Sequence, residues 1–157
     1  MPTVGVVSPG AMGSALAHAL SVGGARVVAT LSGRSERTAR FAERAGVELV
    51  PDLAAVIREA DVVLSVVPPE HATAVAAAVV SAAGGGTSRP LFVELNAISP
   101  ETVRRIDAAT SDDGIELVDG SISGPPPWES GTTRVYLSGP GADDVDAYLA
   151  DSYSGPV

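Results

Sequence analysis

Short β-branched runs alternating with helical segments predict an α/β fold, a doubly wound and mainly parallel sheet with helices on both faces. Three observations carry that expectation. The alternation starts at residue 3 and persists through most of the 157 residues. The run Asp61–Val67 (DVVLSVV) is almost continuously apolar, as in a strand covered on both sides. Aromatic residues make up only 4% of the chain, so helices and sheet must pack at close range through Ala, Val and Gly.

The elements follow in order. Thr3–Val7 reads as the first strand and leads into Ser8-Pro9-Gly10-Ala11-Met12-Gly13. An Ala-rich helical stretch follows to Leu20, ended by Gly23-Gly24. Arg26–Leu31 is the second strand, and Ser35–Ala45 a charged amphipathic helix closed by Gly46. Val47–Val50 is a brief strand and Pro51–Ala60 a short helix with Pro51 near its start. After the fourth strand, Asp61–Val67, Glu70–Ala83 is helical, Gly84–Ser88 a loop and Leu91–Leu95 the fifth strand. Ser99 is placed to cap the next helix, with Pro100 at its first position. Ile115–Val118 and Arg134–Leu137 read as further strands, separated by a Gly/Pro-rich segment, 120–133. Right-handed crossovers then determine most of the topology.

Composition narrows the chemistry. Hydrophobic residues are 45% and charged residues 18%, and mean hydropathy is +0.25, the profile of a packed globule. Cysteine is absent, which removes disulfides, thiolate nucleophiles and Cys-based metal sites. His18 and His71 stand in no metal-ligand spacing, so no metal is expected. All 10 basic residues are Arg, so the chain contains no lysine for a Schiff base, a Walker A loop or a general acid. A net charge of −9 and six aromatic residues argue against nucleic acid. A small anion is still compatible with one or two placed arginines and a helix end. No segment is long and apolar enough to span a bilayer. Ala11–Val22 could pass for a signal-peptide core, but no basic residue precedes it, so the chain reads as cytoplasmic with no membrane partner.

The first strand–helix junction carries the functional signal. Ser8-Pro9-Gly10-Ala11-Met12-Gly13 is the dinucleotide fingerprint G-x-G-x-x-G with Ser8 in the first glycine's place. Gly10 lets backbone approach a pyrophosphate, Gly13 lets the helix lie against the sheet, and the helix's free N–H groups face the phosphates. The alternative is a tight turn with no ligand. At the end of the second strand, where an acidic residue selects NAD, the chain has Ser32-Gly33-Arg34-Ser35 followed by Glu36 and Arg37. Hydroxyl and guanidinium groups suit a 2′-phosphate, which points to NADP rather than NAD. Alternatively, Arg34 and Arg37 are solvated residues at a helix start. The whole chain, 1–157, thus reads as one Rossmann-type dinucleotide-binding domain.

With these motifs the sequence resembles the β-hydroxyacid dehydrogenase group of the 6-phosphogluconate dehydrogenase superfamily, imine reductases included. VGVVSPGAMGSALAHAL matches its opening, SGRS its Asn-Arg-Ser/Thr, and DVVLSVVPP its fourth-strand motif. ELNAISPETV stands at its Asp-x-Ser-Thr-Ile-Ser-Pro, VDGSISGPP at its Asp-Ala-Pro-Val-Ser-Gly-Gly, and GTTRVYLSG at the next strand. The resemblance implies an NADP-dependent oxidoreductase that passes a hydride to or from a small hydroxy acid, carbonyl or imine. It implies that Val66, Val67 and Pro68 line the adenosine and ribose side of the coenzyme. Asn96 would lie near the nicotinamide, and Ser123 and Gly124 would hold the substrate. Asn96-Ala97 replaces the family's Ser-Thr and Pro125 its second glycine, which leaves the substrate open.

The family's helical second domain, with its catalytic lysine and dimer contacts, is expected to lie outside this chain. A homodimer would then form through that domain. The alternative function is a non-catalytic NADP-binding or sensor module. An adenosylmethionine-dependent methyltransferase is disfavoured by Ser32–Ser35, where an acidic residue is usual. His71 reads as a ribose neighbour or a surface residue, and His18 as a mid-helix residue without special role. Asp119 is an acid/base group or a structural acceptor, and Trp128 a substrate wall or a loop anchor. Glu94 has no assigned role.

Overall fold

The computed structural model describes residues 1–150; the rest of the 1–157 domain read from the sequence lies outside the described residues. Seven strands form one sheet: β1 (Thr3–Val7), β2 (Arg26–Ala29), β3 (Glu48–Leu49), β4 (Val62–Ser65), β5 (Leu91–Glu94), β6 (Leu117–Ser123) and β7 (Arg134–Ser138). Their spatial order is β3-β2-β1-β4-β5-β6-β7. All pairs are parallel except β6–β7. The doubly wound α/β expectation is therefore met.

Among the described residues, five α-helices connect the strands, α1 (Ala11–Val22), α2 (Glu36–Ala45), α3 (Leu53–Glu59), α4 (Ala72–Ala83) and α5 (Pro100–Ser111), and α6 (Ala142–Leu149) follows β7. Leu16 and Leu20 of α1, Ala45 of α2 and Val145 and Leu149 of α6 pack on one sheet face with Val4, Leu64 and Val93. Ile57 of α3, Val75 and Val79 of α4 and Ile106 of α5 cover the other, against Val63 and Phe92. Strand residues alternate between the two clusters, as period-two side chains must. Among the described residues no helix is long and apolar enough to cross a membrane.

Several boundaries differ from the sequence expectation. Strands two, three, four and five are shorter than Arg26–Leu31, Val47–Val50, Asp61–Val67 and Leu91–Leu95. Pro51 lies outside its helix, because the Asp52 side chain accepts the Ala55 N–H at 2.8 Å and so caps α3. Helix α4 starts later than Glu70, since Pro69–His71 forms a 3₁₀ turn. Strand β6 starts at Leu117 rather than Ile115 and continues through Ser123 into the Gly/Pro-rich segment 120–133, paired with β7 from Asp119↔Ser138 to Ser123↔Arg134. Gly120 hid that continuation, because glycine is depleted in strands. Helix α6 was not anticipated, although its buried Val145 and Leu149 have helical spacing.

The consequence for function is positional. Strand order reverses between β1 and β4, so loops after these strands diverge and open a crevice at their carboxyl ends. Ser8–Gly13, the loop after β2, Val66–Pro68 and Asn96 all follow strand ends on that edge.

Candidate functional site

Ser8 is the only non-glycine residue with positive φ among the described residues (φ 65°), so it adopts the left-handed turn that the first glycine of the fingerprint supplies elsewhere. The Gly10 N–H donates to its carbonyl at 2.8 Å, which closes the turn. A β-carbon on Gly13 would sit 2.5 Å from the Ser8 carbonyl oxygen, so glycine is required there for α1 to meet the end of β1. Gly10 is different. The nearest atom to a β-carbon there is Ser8 Oγ at 4.0 Å, so nothing in the chain's own packing demands glycine. The open space lies at the amino end of α1.

That helix end is unsatisfied. Ser35, Asp52 and Ser99 cap α2, α3 and α5 with side-chain acceptors, whereas Gly10 caps α1 with none. The first turn of α1 also contains no acidic residue, unlike those of α2, α5 and α6. Free N–H groups and an uncompensated positive helix end are the features that bind phosphate. Ser14 inside the helix is buried and donates its hydroxyl to the Pro9 carbonyl at 2.5 Å, which ties the turn to the helix.

Beside this turn lies a cavity of about 160 Å³ lined by Val6, Val7, Ser8, Thr30, Ser32, Arg34, Leu53, Val75 and Ala78. The structure thus brings Arg34 and Ser32 together with Ser8. Thr30, which sequence reasoning missed, completes the polar lining. Its hydroxyl accepts the Ser32 N–H at 3.2 Å and shapes the loop after β2. Arg34 is exposed, and no hydrogen bond, ion pair or ring contact engages its guanidinium among the described residues. Two predicted neighbours are used elsewhere. The Ser35 hydroxyl accepts the Thr38 N–H, and Arg37 lies over Phe41, 5.7 Å from its ring centre, outside the Arg34 cavity.

The other half of the crevice is organised by Asn96, which is 6% exposed. Its Oδ1 accepts the Val67 N–H at 2.8 Å, and its Nδ2 donates to Ser65 Oγ at 3.1 Å. Asn96 thereby joins the Val66–Pro68 loop to the end of β5. A second cavity of about 210 Å³ opens next to Asn96, with Asp119, Ser121, Tyr136 and Ser138 among its lining residues. Asp119 is half-buried, and burial raises its pKa above the usual carboxylate range, against a backbone N–H from Gly120.

Ser123 and Gly124 do not line this cavity; both are exposed at the end of β6. Gly124 has φ 130°, and a β-carbon there would meet the Thr132 carbonyl at 2.7 Å, so the turn itself demands glycine. Thr133 Oγ1 donates to the Pro125 carbonyl and closes the same loop.

Trp128 is the anchor of that loop. Its ring lies 5.4 Å from the His18 ring of α1, and the Arg44 guanidinium of α2 sits 4.0 Å over it. Trp128→Ala is expected to lower stability by about 1–2 kcal/mol, read as a lower thermal midpoint by circular dichroism. An unchanged midpoint would show that the loop needs no anchor. His71 is exposed in the 3₁₀ turn. No group of three or more His, Cys, Asp or Glu side chains suited to a metal ion occurs among the described residues.

Residues 3–87, just over half of the chain, match the family described as NADP oxidoreductase coenzyme F420-dependent. The chain belongs to this family. Comparison with curated proteins gives no match. Among solved structures, the chain superposes on the conserved protein MTH1747, described as of unknown function and structurally similar to 3-hydroxyacid dehydrogenases. The TM-score is 0.84 and the identity 28%, over 99% of this chain and 57% of that one. It also superposes on Mycobacterium tuberculosis 3-hydroxyisobutyrate dehydrogenase solved with L-serine (TM-score 0.81, 20% identity, 100% and 54% covered). A third match is an imine reductase variant from Myxococcus stipitatus in complex with NAD+ (TM-score 0.77, 21% identity, 99% and 53% covered). The last two likenesses concern the fold. The chain spans a little over half the length of these structures. The family membership and these neighbours agree with the superfamily named from the sequence motifs.

Proposed function

We propose that this chain is the NADP-binding domain of a hydride-transferring oxidoreductase. The observation that carries the reading is the uncapped amino end of α1 beneath an open Gly10, next to a cavity that holds Arg34. The residues fit a dinucleotide: backbone N–H groups of the first turn of α1 for the diphosphate, Ser32 and Arg34 for the adenosine 2′-phosphate. Val66, Val67 and Pro68 line the ribose side, and Asn96 the nicotinamide side. The family description, which pairs NADP with coenzyme F420, supports this choice. Since the Myxococcus stipitatus structure holds NAD+, the preference rests on this chain's own Ser32-Gly33-Arg34 loop, which contains no carboxylate.

A bound nicotinamide supplies or takes up the hydride. The chain's own part is to orient that ring and to exclude water around it. Ser123 and Gly124, with Asn96, are the residues through which a small hydroxy acid, carbonyl or imine would be positioned. A helical second domain would complete the substrate site and the dimer contact. Titration followed by nicotinamide fluorescence is expected to show NADPH binding at least tenfold tighter than NADH. Binding of neither dinucleotide would refute the proposal.

A further inference from the structure

Ser65, Glu94, Asp119 and Ser138 are successive register partners across β4, β5, β6 and β7, a polar row near the carboxyl end of the sheet. Val63, Phe92 and Leu117 stand two residues before the first three and belong to the cluster under α3, α4 and α5, so the row shares that face. Glu94 is fully buried. Its Oε1 accepts the Asn96 backbone N–H at 2.9 Å, and its Oε2 has no hydrogen-bond partner among the described residues. The Asn96 side-chain amide is tied at the same time to Val67 and Ser65, and the residue lines the neighbouring cavity.

We propose that Ser65, Asn96 and Glu94 form a positioning unit, in which a neutral Glu94 carboxyl fixes the Asn96 backbone while Ser65 orients the Asn96 side-chain amide to grip the nicotinamide half of the dinucleotide. The inference rests on the coenzyme reading above and adds a residue to it. An ionised Glu94, buried and without a cation beside it, would be an uncompensated buried charge. Asp119, its neighbour on β6, is a second carboxyl group, and Ser65 on β4 is uncharged. The helices packed on this face contribute apolar side chains, among them Ala72, Val75 and Ile106. No cation forms an ion pair with Glu94 among the described residues. Burial raises the Glu94 pKa, opposed by hydrogen bonding to Asn96 and Ser65 and assisted by Asp119.

The test compares two probes, NADPH and 2′-phosphoadenosine 5′-diphosphate, which lacks the nicotinamide half. Wild-type chain, Glu94→Gln, Glu94→Leu and Ser65→Ala are titrated with each, with circular dichroism as the folding control. Glu94→Gln, which mimics the neutral acid, is expected to match wild type with both probes. Glu94→Leu is expected to weaken NADPH by about tenfold and Ser65→Ala by about threefold, with the phosphoadenosine probe unchanged in both. Should Glu94→Leu fail to fold, Glu94→Gln and Ser65→Ala decide the matter. Three results overturn the inference: undiminished NADPH binding in Ser65→Ala, equal losses of both probes, or a Glu94→Gln that loses NADPH while still folded. Wild-type chain that binds neither probe refutes the coenzyme reading and this inference together; binding of the phosphoadenosine probe by all variants preserves the former and isolates the latter.

Discussion

Gly10→Ala is expected to leave folding intact and to weaken NADPH binding by roughly tenfold or more. Gly13→Ala is expected to lower stability by about 1–3 kcal/mol even without coenzyme. The two glycines are three residues apart in one turn, and the structure separates their reasons. At Gly13 a methyl group collides with the Ser8 carbonyl at 2.5 Å, and the obstructing atom is backbone that cannot swing aside. Helix α1 must then retreat from the end of β1, which disturbs the packing of Leu16 and Leu20 below it. At Gly10 a methyl group meets nothing closer than 4.0 Å, and φ is −75°, a value any residue adopts. Its only victim is a ligand seated on the helix end. Thermal unfolding and coenzyme titration of both variants provide the check; a Gly10→Ala that binds NADPH normally would mean that no phosphate approaches this turn.

Arg34→Ala is expected to weaken NADPH by tenfold or more and to leave NADH nearly unchanged. A charged hydrogen bond contributes about 1.5–3 kcal/mol, which corresponds to roughly one to two orders of magnitude in affinity. The side chain is at the start of α2, where a cation is disfavoured by the helix field, and no carboxylate pairs with it among the described residues. On the proposed reading, a doubly charged 2′-phosphate in the adjoining cavity would supply the missing counterion. Arg37→Ala serves as the contrast: its guanidinium is engaged with Phe41, so a much smaller loss of NADPH is expected. Equal losses of NADPH and NADH in Arg34→Ala would show that Arg34 does not read the 2′-phosphate.

Much of this arrangement is legible in the sequence, because it rests on local signals. DVVLSVV has the apolar run of a strand covered on both faces, and its Val62–Ser65 part is that strand; the Ser99-Pro100 pair marks a helix start that the Thr102 N–H→Ser99 Oγ bond realises. Ser8 stands in a glycine's place in the fingerprint, and it is found in the left-handed region that the glycine would take. What stayed hidden depends on pairing between distant segments. The extension of β6 exists because β7 lies alongside it, and Gly120 masked it by interrupting the β-branched run. Glu94 closes the apolar stretch LFVE, a position where only its neighbours on β4 and β6 reveal the polar row it joins. Trp128 reads as a wall or an anchor until α1 and α2 are seen to bring His18 and Arg44 against it.

The most direct measurement of the central claim is a crystal structure of the chain with NADP at saturating concentration. The account predicts diphosphate oxygens within hydrogen-bonding distance of backbone N–H groups in the first turn of α1, and a 2′-phosphate against Arg34. A helix end left bare while the coenzyme binds elsewhere, or a crevice closed by side chains, would contradict it.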